Sequence, residues 1–318
     1  KVMGLAATGD PAPLTPFFER IINMGRCDPR LGGFLGRQQL KMSRREDVAA
    51  ALQGRVEDVV TRFLLASRAG RANLALAGGL FANVSLNGAL ARHFDRVEVF
   101  PHMGDGGLCV GAAASVAGDV SIGLPFWGPS YSEAEMEAAL QDAGLRYQRD
   151  EAPERHLLDA IEGGRLTARF VGRSEFGPRA LGHRSIFLRA DRPALADLLN
   201  ELLGRDDFMP FAPIRRTGAG SSTMTVVVDA DDELRRACPT AVHCDGTART
   251  QLVDRHQDAE LWAMLGEAES RGLPALINTS FNRHGEPIVE TPAHACATFI
   301  AAELDVMQLG PYVVRKAA

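Results

Sequence analysis

Arginine side chains cluster in an irregular stretch of the C-terminal half of the sequence. Arg173, Arg179 and Arg184 lie within GRSEFGPRALGHRSI, where glycines and a proline interrupt any regular helix face. A guanidinium on a rigid loop forms paired hydrogen bonds with phosphate or carboxylate oxygens. The stretch therefore indicates an anion site, although each arginine taken singly is equally consistent with a solvated surface charge.

Two further polar segments follow in the same half. HCDGTARTQ and INTSFNRHGEPIVETP supply the candidate side chains His243, Asp245, Arg249, Asn278, Thr279, Ser280 and Asn282. Hydroxyl, amide and guanidinium groups that converge on strand ends form a pocket for an oxyanion or a phosphoryl group. The alternative is turn chemistry, because Asn, Ser and Thr often bond their own backbone in turns.

Two glycine-rich turns occupy the N-terminal half. Gly78 and Gly79 follow an apolar run in LALAGGLFAN, and Asp105 lies between Gly104 and Gly106 in HMGDGGLCVGAA. Backbone N–H groups at such turns can approach a phosphate, although the glycines can equally serve only to turn a strand into a helix. Asp105 can cap the following helix or ligate a metal. The GxGxxG motif of a Rossmann dinucleotide site does not occur in the sequence. The two glycine turns, one of them with a carboxylate, therefore match the nucleotide cleft of actin-like ATPases better than a Rossmann site.

Regular elements must position these residues. In the first half, apolar spacing predicts a helix over 46–69 that ends at Gly70. A unit of strand, loop and helix then occurs twice. Its strands lie at 74–77 and 97–100, and its helices end near His93 and Gly118. Residues 119–130 contain Gly, Pro and Trp without periodicity. We interpret them as a linker between two domains.

The second half alternates strands and helices. Ser132 and Glu135 form a capping box for a helix that Gly144 terminates. Strand-like runs at 166–171, 223–228, 273–277 and 306–309 alternate with helix-like runs at 154–162, 194–203, 259–271 and 294–304. The pattern predicts an α/β domain over 131–318.

Composition narrows the class of protein. The chain has 318 residues, 46% hydrophobic content and a formal net charge of −5, which favours two globular domains with a small-molecule ligand and argues against nucleic acid. No apolar run approaches the roughly 20 residues of a membrane span. Five scattered cysteines without CxxC favour a reducing, cytoplasmic compartment, and Cys238, His243 and Cys244 are a poor zinc signature. Because the chain opens at Lys1 on a motif-like stretch, we expect upstream sequence to be missing.

Seven motifs together resemble one family. KVMGLA, AGGLFAN, GDGG with its small-residue helix, SEFGPRALGHRSI, FMPFAP, HCDGTARTQ and NTSFNRHGEPIVETP are similar, in the same order, to motifs of the NodU/CmcH-type O-carbamoyltransferases. The resemblance covers essentially the whole chain. It implies an α/β protein: the second lobe of an actin-like ATPase (ASKHA) fold at 1–118, a linker at 119–130, and a YrdC-like domain with a twisted mixed sheet at 131–318.

The resemblance also implies an activity and the residues that perform it. Carbamoyl phosphate is cleaved, carbamoyl adenylate is formed with ATP, and the carbamoyl group passes to a hydroxyl of a small-molecule acceptor such as a sugar, a nodulation factor or an antibiotic. The residues implied for carbamoyl phosphate and the ATP phosphates are Arg179, Arg205, Arg249, Ser280 and Asn282. Those implied for nucleotide binding are Gly78, Gly79, Asn83, Gly104, Gly106, Arg173 and Thr279. Asp105 would ligate a divalent metal, iron or magnesium, together with a histidine pair from the missing lobe.

Two departures from the family pattern stand out. Many members carry a lysine near the position of Leu203 and Gly204 and a second arginine in place of Met209, so the phosphate pocket has fewer matched cations here. Two alternatives therefore remain open: a kinase of a small alcohol with an actin-like fold, and a noncatalytic subunit that binds nucleotide or acyl phosphate. The acceptor and the oligomeric state, including a homodimer, are left open.

Overall fold

A computed structural model describes residues 2–23, 26–27, 33–118, 123–205 and 211–316 of the chain. We refer to 2–118 as the N-terminal unit and to 123–316 as the C-terminal unit. Part of the predicted linker, at 119–122, lies outside the described residues, as does Met209. The domain limits therefore stay a prediction.

The N-terminal unit is mainly helical. Its elements are α1 (Val2–Ala6), α2 (Thr15–Ile21), β1 (Ile22–Asn23), β2 (Arg26–Cys27), α3 (Gly33–Met42), α4 (Arg45–Ser67), β3 (Asn73–Leu76), α5 (Val84–Ala91), β4 (Arg96–Val99) and α6 (Leu108–Ala117). Strands β3 and β4 pair in parallel, and a short 3₁₀ turn follows each of them. The predicted repeat of strand, loop and helix is confirmed. An actin-like lobe stays a prediction, because the described part contains only this parallel pair.

The C-terminal unit is built on a sheet of eight strands among the described residues. Its elements are α7 (Glu133–Asp142), β5 (Tyr147–Arg149), α8 (Pro153–Glu162), β6 (Thr167–Phe170), β7 (Arg184–Arg189), α9 (Pro193–Leu203), β8 (Ala212–Arg215), β9 (Val228–Asp229), α10 (Asp232–Ala237), β10 (Thr247–Ala248), β11 (Gln251–Leu252), α11 (Ala259–Ser270), β12 (Leu276–Ser280), α12 (Pro292–Ala301), β13 (Val306–Leu309) and β14 (Tyr312–Arg315). The sheet order is β11-β8-β12-β7-β6-β13-β14-β5. The β11–β8 and β6–β13 pairs are parallel and the others antiparallel, so the predicted mixed sheet is confirmed.

Helices cover both faces of this sheet. Successive side chains of a strand point to opposite faces, and in β7 Ile186 and Leu188 enter one hydrophobic cluster while Phe187 enters another. Helices α7, α9 and α12 supply the first cluster, and α8 and α11 supply the second. Burial on both faces explains why the strands read as continuous apolar runs in the sequence.

The predicted strand at 223–228 is wrong. Only its last residue, Val228, belongs to a strand, and the preceding residues form a turn in which Met224 has φ +53°. The backbone N–H of Thr225 bonds the Ser221 hydroxyl at 3.1 Å, and Val227 N–H bonds the Val84 carbonyl at 3.3 Å. The β-branched run therefore packs on α5 of the N-terminal unit, and this tertiary contact overrides its strand propensity.

None of the helices in the described ranges is both long enough and apolar enough to cross a membrane.

Candidate functional site

A cavity of about 520 Å³ opens between the two units at the end of strand β12. The wall on the C-terminal unit contains the predicted residues Arg179, Arg205, Arg249, Thr279, Ser280 and Asn282. The opposite wall belongs to the N-terminal unit and contains Met3, Gly4, Ala7, Thr8, Val84 and Ser85. The residues predicted to hold carbamoyl phosphate are thus brought together, although they are up to about a hundred positions apart in the chain. Their roles stay predictions.

The loop that carries Arg179 is held by a carboxylate. Oε1 of Glu175 accepts hydrogen bonds from the backbone N–H groups of Leu181, His183 and Arg184 at 2.6, 3.0 and 3.2 Å. Nδ2 of Asn278 on β12 bonds the Ala180 carbonyl at 3.0 Å. These bonds fix the loop on both sides of Arg179, so the guanidinium is presented by a rigid backbone.

Positive charge accumulates in the cavity. Burial lowers the pKa of Arg249, and the charges of Arg179 and Arg205 lower it further. Burial also lowers the pKa of Arg179, whose Nε is buried without a hydrogen-bond partner among the described residues. Within those residues, neither Arg179 nor Arg249 pairs with a carboxylate. Mutually repelling, partly dehydrated cations of this kind are matched by a bound anion.

Arg205 joins the cluster from the end of α9. Gly204 ends that helix in the left-handed conformation at φ +64°, and Arg205 turns into the cavity, where Nη1 donates to Thr279 Oγ1 at 2.6 Å. Its guanidinium also stacks over Phe211, with 4.6 Å between Cζ and the ring centroid. Burial lowers the pKa of Arg205 to about 10. At the departure from the family pattern, Leu203 is buried in the core and Gly204 caps the helix, and neither supplies a cation.

Polar groups complete the wall beside the arginines. Ser280 is the last residue of β12 and Asn282 follows it. Nδ2 of Asn282 donates to the carbonyls of Arg283 and Glu286, each at 2.9 Å, which leaves Oδ1 buried and unbonded within the described part of the chain. A second cavity of about 590 Å³ shares Ser280 and Asn282 and continues towards Glu290 and His294. The two cavities thus meet at the β12 terminus.

His243 belongs to a short hydrogen-bonded chain in the same cavity. Its Nδ1 lies 2.9 Å from Thr247 Oγ1, and Thr247 Oγ1 donates to Asp245 Oδ1 at 2.7 Å. Burial lowers the pKa of His243 and the charge of Arg249 lowers it as well, while Asp245 opposes both. The sequence singled out His243 and Asp245, but it did not identify Thr247 or the organising role of Glu175. The Asp-Gly-Thr order in HCDGT, where the Thr247 N–H donates to Asp245 Oδ1 at 2.9 Å, was the available signal for Thr247.

The glycine turns of the N-terminal unit lie outside this cavity. Gly78 has φ +115° and its N–H bonds the Met103 carbonyl at 2.6 Å, so the two turns meet beside the ends of β3 and β4. A Cβ on Gly106 would lie 2.2 Å from the His102 ring, which explains glycine there. Gly79 and Gly104 have open space where a Cβ would stand. Nucleotide binding at these four glycines stays a prediction.

Other predicted binding residues are engaged in structural contacts. Asn83 caps α5 by accepting from the Leu86 N–H at 3.0 Å, and its amide exchanges two hydrogen bonds with Gln53. Arg173 is exposed and donates to the Trp127 carbonyl at 2.7 Å. Asn83 is therefore a helix cap in this structure, and Arg173 is tied to Trp127 in the predicted linker.

Asp105 is exposed at the start of the turn before α6. The described residues contain no group of three or more His, Cys, Asp or Glu side chains arranged to hold a metal ion. A single exposed carboxylate does not fill a coordination sphere. Asp105 therefore does not fit a metal site by itself.

Fold and site define an α/β protein with an arginine-lined cavity at a strand end. The model for the carbamoyltransferase C-terminus matches residues 158–316, and that for the carbamoyltransferase N-terminus matches residues 30–114. The chain belongs to the carbamoyltransferase family, as the motifs predicted.

Named relatives agree with this assignment. The chain is 32% identical to nodulation protein NolNO of Sinorhizobium fredii, over 99% of this chain and 52% of that protein. It is 33% identical to nodulation protein NolO of Bradyrhizobium diazoefficiens, over 99% of this chain and 65% of that protein. It is 33% identical to nodulation protein U of Rhizobium tropici, over 71% of this chain and 41% of that protein. The chain thus spans between about two fifths and two thirds of the length of these relatives.

Among solved structures, full-length HypF in a phosphate- and nucleotide-bound form matches 50% of this chain and 25% of its own, at 15% identity and a TM-score of 0.35.

Proposed function

We propose that the cavity binds carbamoyl phosphate and that the protein is an O-carbamoyltransferase. In this proposal carbamoyl phosphate is hydrolysed to phosphate and carbamate. A carbamate oxygen attacks the α-phosphate of ATP and displaces pyrophosphate, which gives carbamoyl adenylate. The carbamoyl group then passes to a hydroxyl of a small-molecule acceptor, and AMP is released. The observation that carries the proposal is the cluster of Arg179, Arg205 and Arg249, whose charges repel one another in a partly buried cavity. A dianionic phosphate relieves that repulsion and the cost of dehydrating the cations.

The cavity residues take distinct parts in the first step. Arg179 and Arg249 would bind oxygens of the departing phosphate, and Arg205 is held for the same purpose by Thr279. Fixed cations stabilise charge that develops on the leaving group without having to reorganise. Ser280 and Asn282, at the meeting point of the two cavities, would contact the carbamoyl group or the phosphates of ATP.

We place ATP in the adjoining cavity. This cavity has a volume of about 590 Å³, which lies within the range of small-molecule sites, and it opens into the arginine cavity beside Ser280 and Asn282. Phosphates placed at this junction would face the same cations. Contacts of a nucleotide with Gly78, Gly79 and Arg173 remain part of the proposal for the carbamoyl transfer step.

The acceptor is proposed to be a hydroxyl-bearing small molecule, such as a sugar, a nodulation factor or an antibiotic. The names of the relatives NolNO, NolO and nodulation protein U refer to nodulation. A cytoplasmic setting and a homodimer are further expectations that belong to this proposal. Because Asp105 alone does not hold a metal, we derive no step through one.

The test separates the two half-reactions. The chain is incubated with carbamoyl phosphate, ATP and a panel of sugar alcohols, and phosphate release and carbamoylated product are measured separately. We expect phosphate release from carbamoyl phosphate, because the residues matched to cleavage are all in the C-terminal unit, and the carbamoylated product tests the transfer step. ATP consumption that does not depend on the presence of carbamoyl phosphate would establish a kinase instead. Binding without any phosphate release would establish a noncatalytic subunit.

A further inference from the structure

The arginine cavity contains several buried polar atoms without a hydrogen-bond partner among the described residues, and one of them is a histidine ring nitrogen. Nε2 of His243 is buried and has no hydrogen-bond partner among the described residues. Burying a polar nitrogen without a partner costs free energy, so such atoms usually meet a ligand or water. Arginine carries only donors, which suits phosphate and carbonyl oxygens but cannot satisfy an N–H group of a ligand.

The hydrogen-bonded chain behind His243 determines which ring nitrogen carries the proton. Asp245 accepts hydrogen bonds, and the single hydroxyl proton of Thr247 is directed at Asp245 Oδ1. Oγ1 of Thr247 must then accept from Nδ1–H of His243, 2.9 Å away. In the neutral imidazole this leaves Nε2 with a lone pair and no proton.

We propose that His243 determines specificity by accepting a hydrogen bond at Nε2 from the amino group of the carbamoyl moiety. This inference rests on the proposed function. Carbamoyl phosphate and acetyl phosphate share the phosphate and the carbonyl oxygen, and they differ in NH₂ against CH₃. Only the first can satisfy the buried Nε2.

The charge state of His243 agrees with that role. Burial and the neighbouring charge of Arg249 lower the pKa of its imidazole, and Asp245 acts in the opposite direction. A protonated imidazole would donate from both nitrogens and would add a further cation to the arginine cluster. The neutral ring is therefore the form that complements an amino group.

Two other buried oxygens must be distinguished from Nε2. Oδ1 of Asn278 and Oδ1 of Asn282 are also without partners among the described residues. Asn278 lies in the middle of β12 and its amide holds the Arg179 loop, while Asn282 borders the second cavity. His243 lines the same cavity as Arg249, and the charge of Arg249 acts on its imidazole, so we assign the amino group of the ligand to Nε2.

The test uses two stable phosphonates that differ only at the position in question. Phosphonoacetamide carries NH₂, acetonylphosphonate carries CH₃, and methylphosphonate reports the anion site alone. Affinities are measured by calorimetry on the full chain for the unmodified protein, H243L, H243Q and T247V. Because an unpaired buried acceptor is costly, we expect the unmodified protein to prefer phosphonoacetamide over acetonylphosphonate by about tenfold or more.

The variants should alter this ratio, and because the two ligands compared share the phosphonate group, a change at the anion site itself cancels from the ratio. H243L should reduce the preference to about threefold or less, while H243Q, whose amide oxygen can accept, should retain a larger part of it. T247V removes the hydroxyl that fixes the tautomer and should lower the preference with the imidazole still present, which keeps the proposal testable if H243L does not fold.

The outcomes separate the two proposals. If the unmodified protein binds none of the three phosphonates, the proposed function is overturned. Binding of all three with no preference for NH₂, or an unchanged preference in H243L, would overturn the role of His243 and leave the anion site standing. A loss of preference in N282L with none in H243L would assign the amino group to Asn282 and would likewise overturn the inference.

Discussion

Asn87 in α5 donates a hydrogen bond of 2.8 Å to the carbonyl oxygen of Thr225, and so connects the two units. The Asn87 side chain is fully buried, and the same Nδ2 also donates to the Phe81 carbonyl at 2.8 Å. The segment held by this bond carries Met224, which lines the arginine cavity. The packing of α5 therefore bears on the geometry of the candidate site.

The first prediction concerns Gly88, the neighbour of Asn87. A Cβ there would lie 2.5 Å from Val227 Cγ2 and 2.8 Å from the Val227 carbonyl oxygen. We expect Gly88→Ala to displace this segment and lower the free energy of unfolding by about 1–3 kcal/mol, as overpacking does. It should also weaken phosphate binding. Urea denaturation and calorimetry provide the two measurements.

Gly54 is the matched control for Gly88. It also lies inside a helix, α4, but a Cβ there would meet open space. Gly54→Ala should stabilise the protein by about 0.5–1 kcal/mol, because alanine favours helix more than glycine does. If both substitutions stabilise the protein, the contact between Gly88 and Val227 is not tight in solution.

The second prediction separates stability from binding at Arg249. Because Arg179 and Arg205 repel its buried charge, Arg249→Ala should raise the free energy of unfolding of the ligand-free protein. The same change should weaken phosphate binding by about tenfold or more, since charge-assisted hydrogen bonds contribute about 1.5–3 kcal/mol. Denaturation without ligand and calorimetry with phosphate measure the two effects.

The exposed Arg255 serves as the control for Arg249. Arg255→Ala should change neither quantity by more than about 0.5 kcal/mol. Equal losses of phosphate affinity in the two variants would remove Arg249 from the site. A large loss of stability in Arg249→Ala would mean that the guanidinium is paired in the ligand-free protein.

Much of the second half could be predicted from the sequence, because buried strands and amphipathic helices have strong local signals. The capping box of Ser132 and Glu135 is an example: both of its reciprocal bonds form, at 2.8 and 3.3 Å. The arginine cluster could be predicted as a set, because the family motifs identify its members together. No local spacing in the sequence relates these residues to one another. What failed was the run at 223–228, whose conformation depends on α5, more than a hundred residues away.

The orientation of groups within the site could not be predicted. The proton position on His243 depends on Thr247, and the rigidity of the Arg179 loop depends on Glu175. Neither relation follows from residue type, because each requires the loop to be folded before the partner comes within hydrogen-bonding distance. Strand β7 was also missed, since its first residue, Arg184, is charged yet fully buried.

The third prediction concerns the buried carboxylate of Asp258. Burial alone would raise its pKa, but hydrogen bonds from His183, Arg169 and Leu261 and the charge of Arg169 outweigh it and hold the pKa well below its usual range. Arg169 is itself fully buried and bonds Asp258 Oδ2 at 2.6 Å. Asp258→Asn keeps the helix cap but removes the charge, so it should cost about 2–3 kcal/mol at pH 7.

Acidification should reduce the difference between Asp258→Asn and the unmodified protein. A carboxyl group whose pKa is lower in the folded state than in the unfolded state stabilises the protein at pH values above its unfolded pKa of about 3.9. This stabilisation is lost as the pH falls towards the folded pKa. At pH 3 the gap should be smaller by about 1 kcal/mol than at pH 7. Asp58→Asn, at a half-exposed carboxylate that pairs with Arg55 and Arg62, should cost under about 1 kcal/mol. A gap that does not depend on pH would refute the assigned pKa shift.

The fourth prediction tests the helix cap of α7. Ser132→Ala removes the side chain that accepts from the Glu135 N–H, and should lower the free energy of unfolding by about 1 kcal/mol. Ser130→Ala, at an exposed position just outside the helix, is the matched control and should change stability by less than about 0.5 kcal/mol. Equal effects of the two substitutions in urea denaturation would show that the cap contributes nothing measurable.

The two-sided wall of the arginine cavity has a thermodynamic consequence. Since α1 and the start of α5 form one side and the ends of β12 and α9 form the other, a ligand that contacts both sides favours the state in which they are apposed. Linkage makes this reciprocal: whatever free energy the ligand adds to the apposition of the two sides, their apposition adds to the affinity for the ligand. An anion that reaches only the arginines would leave the apposition unaffected, however tightly it bound.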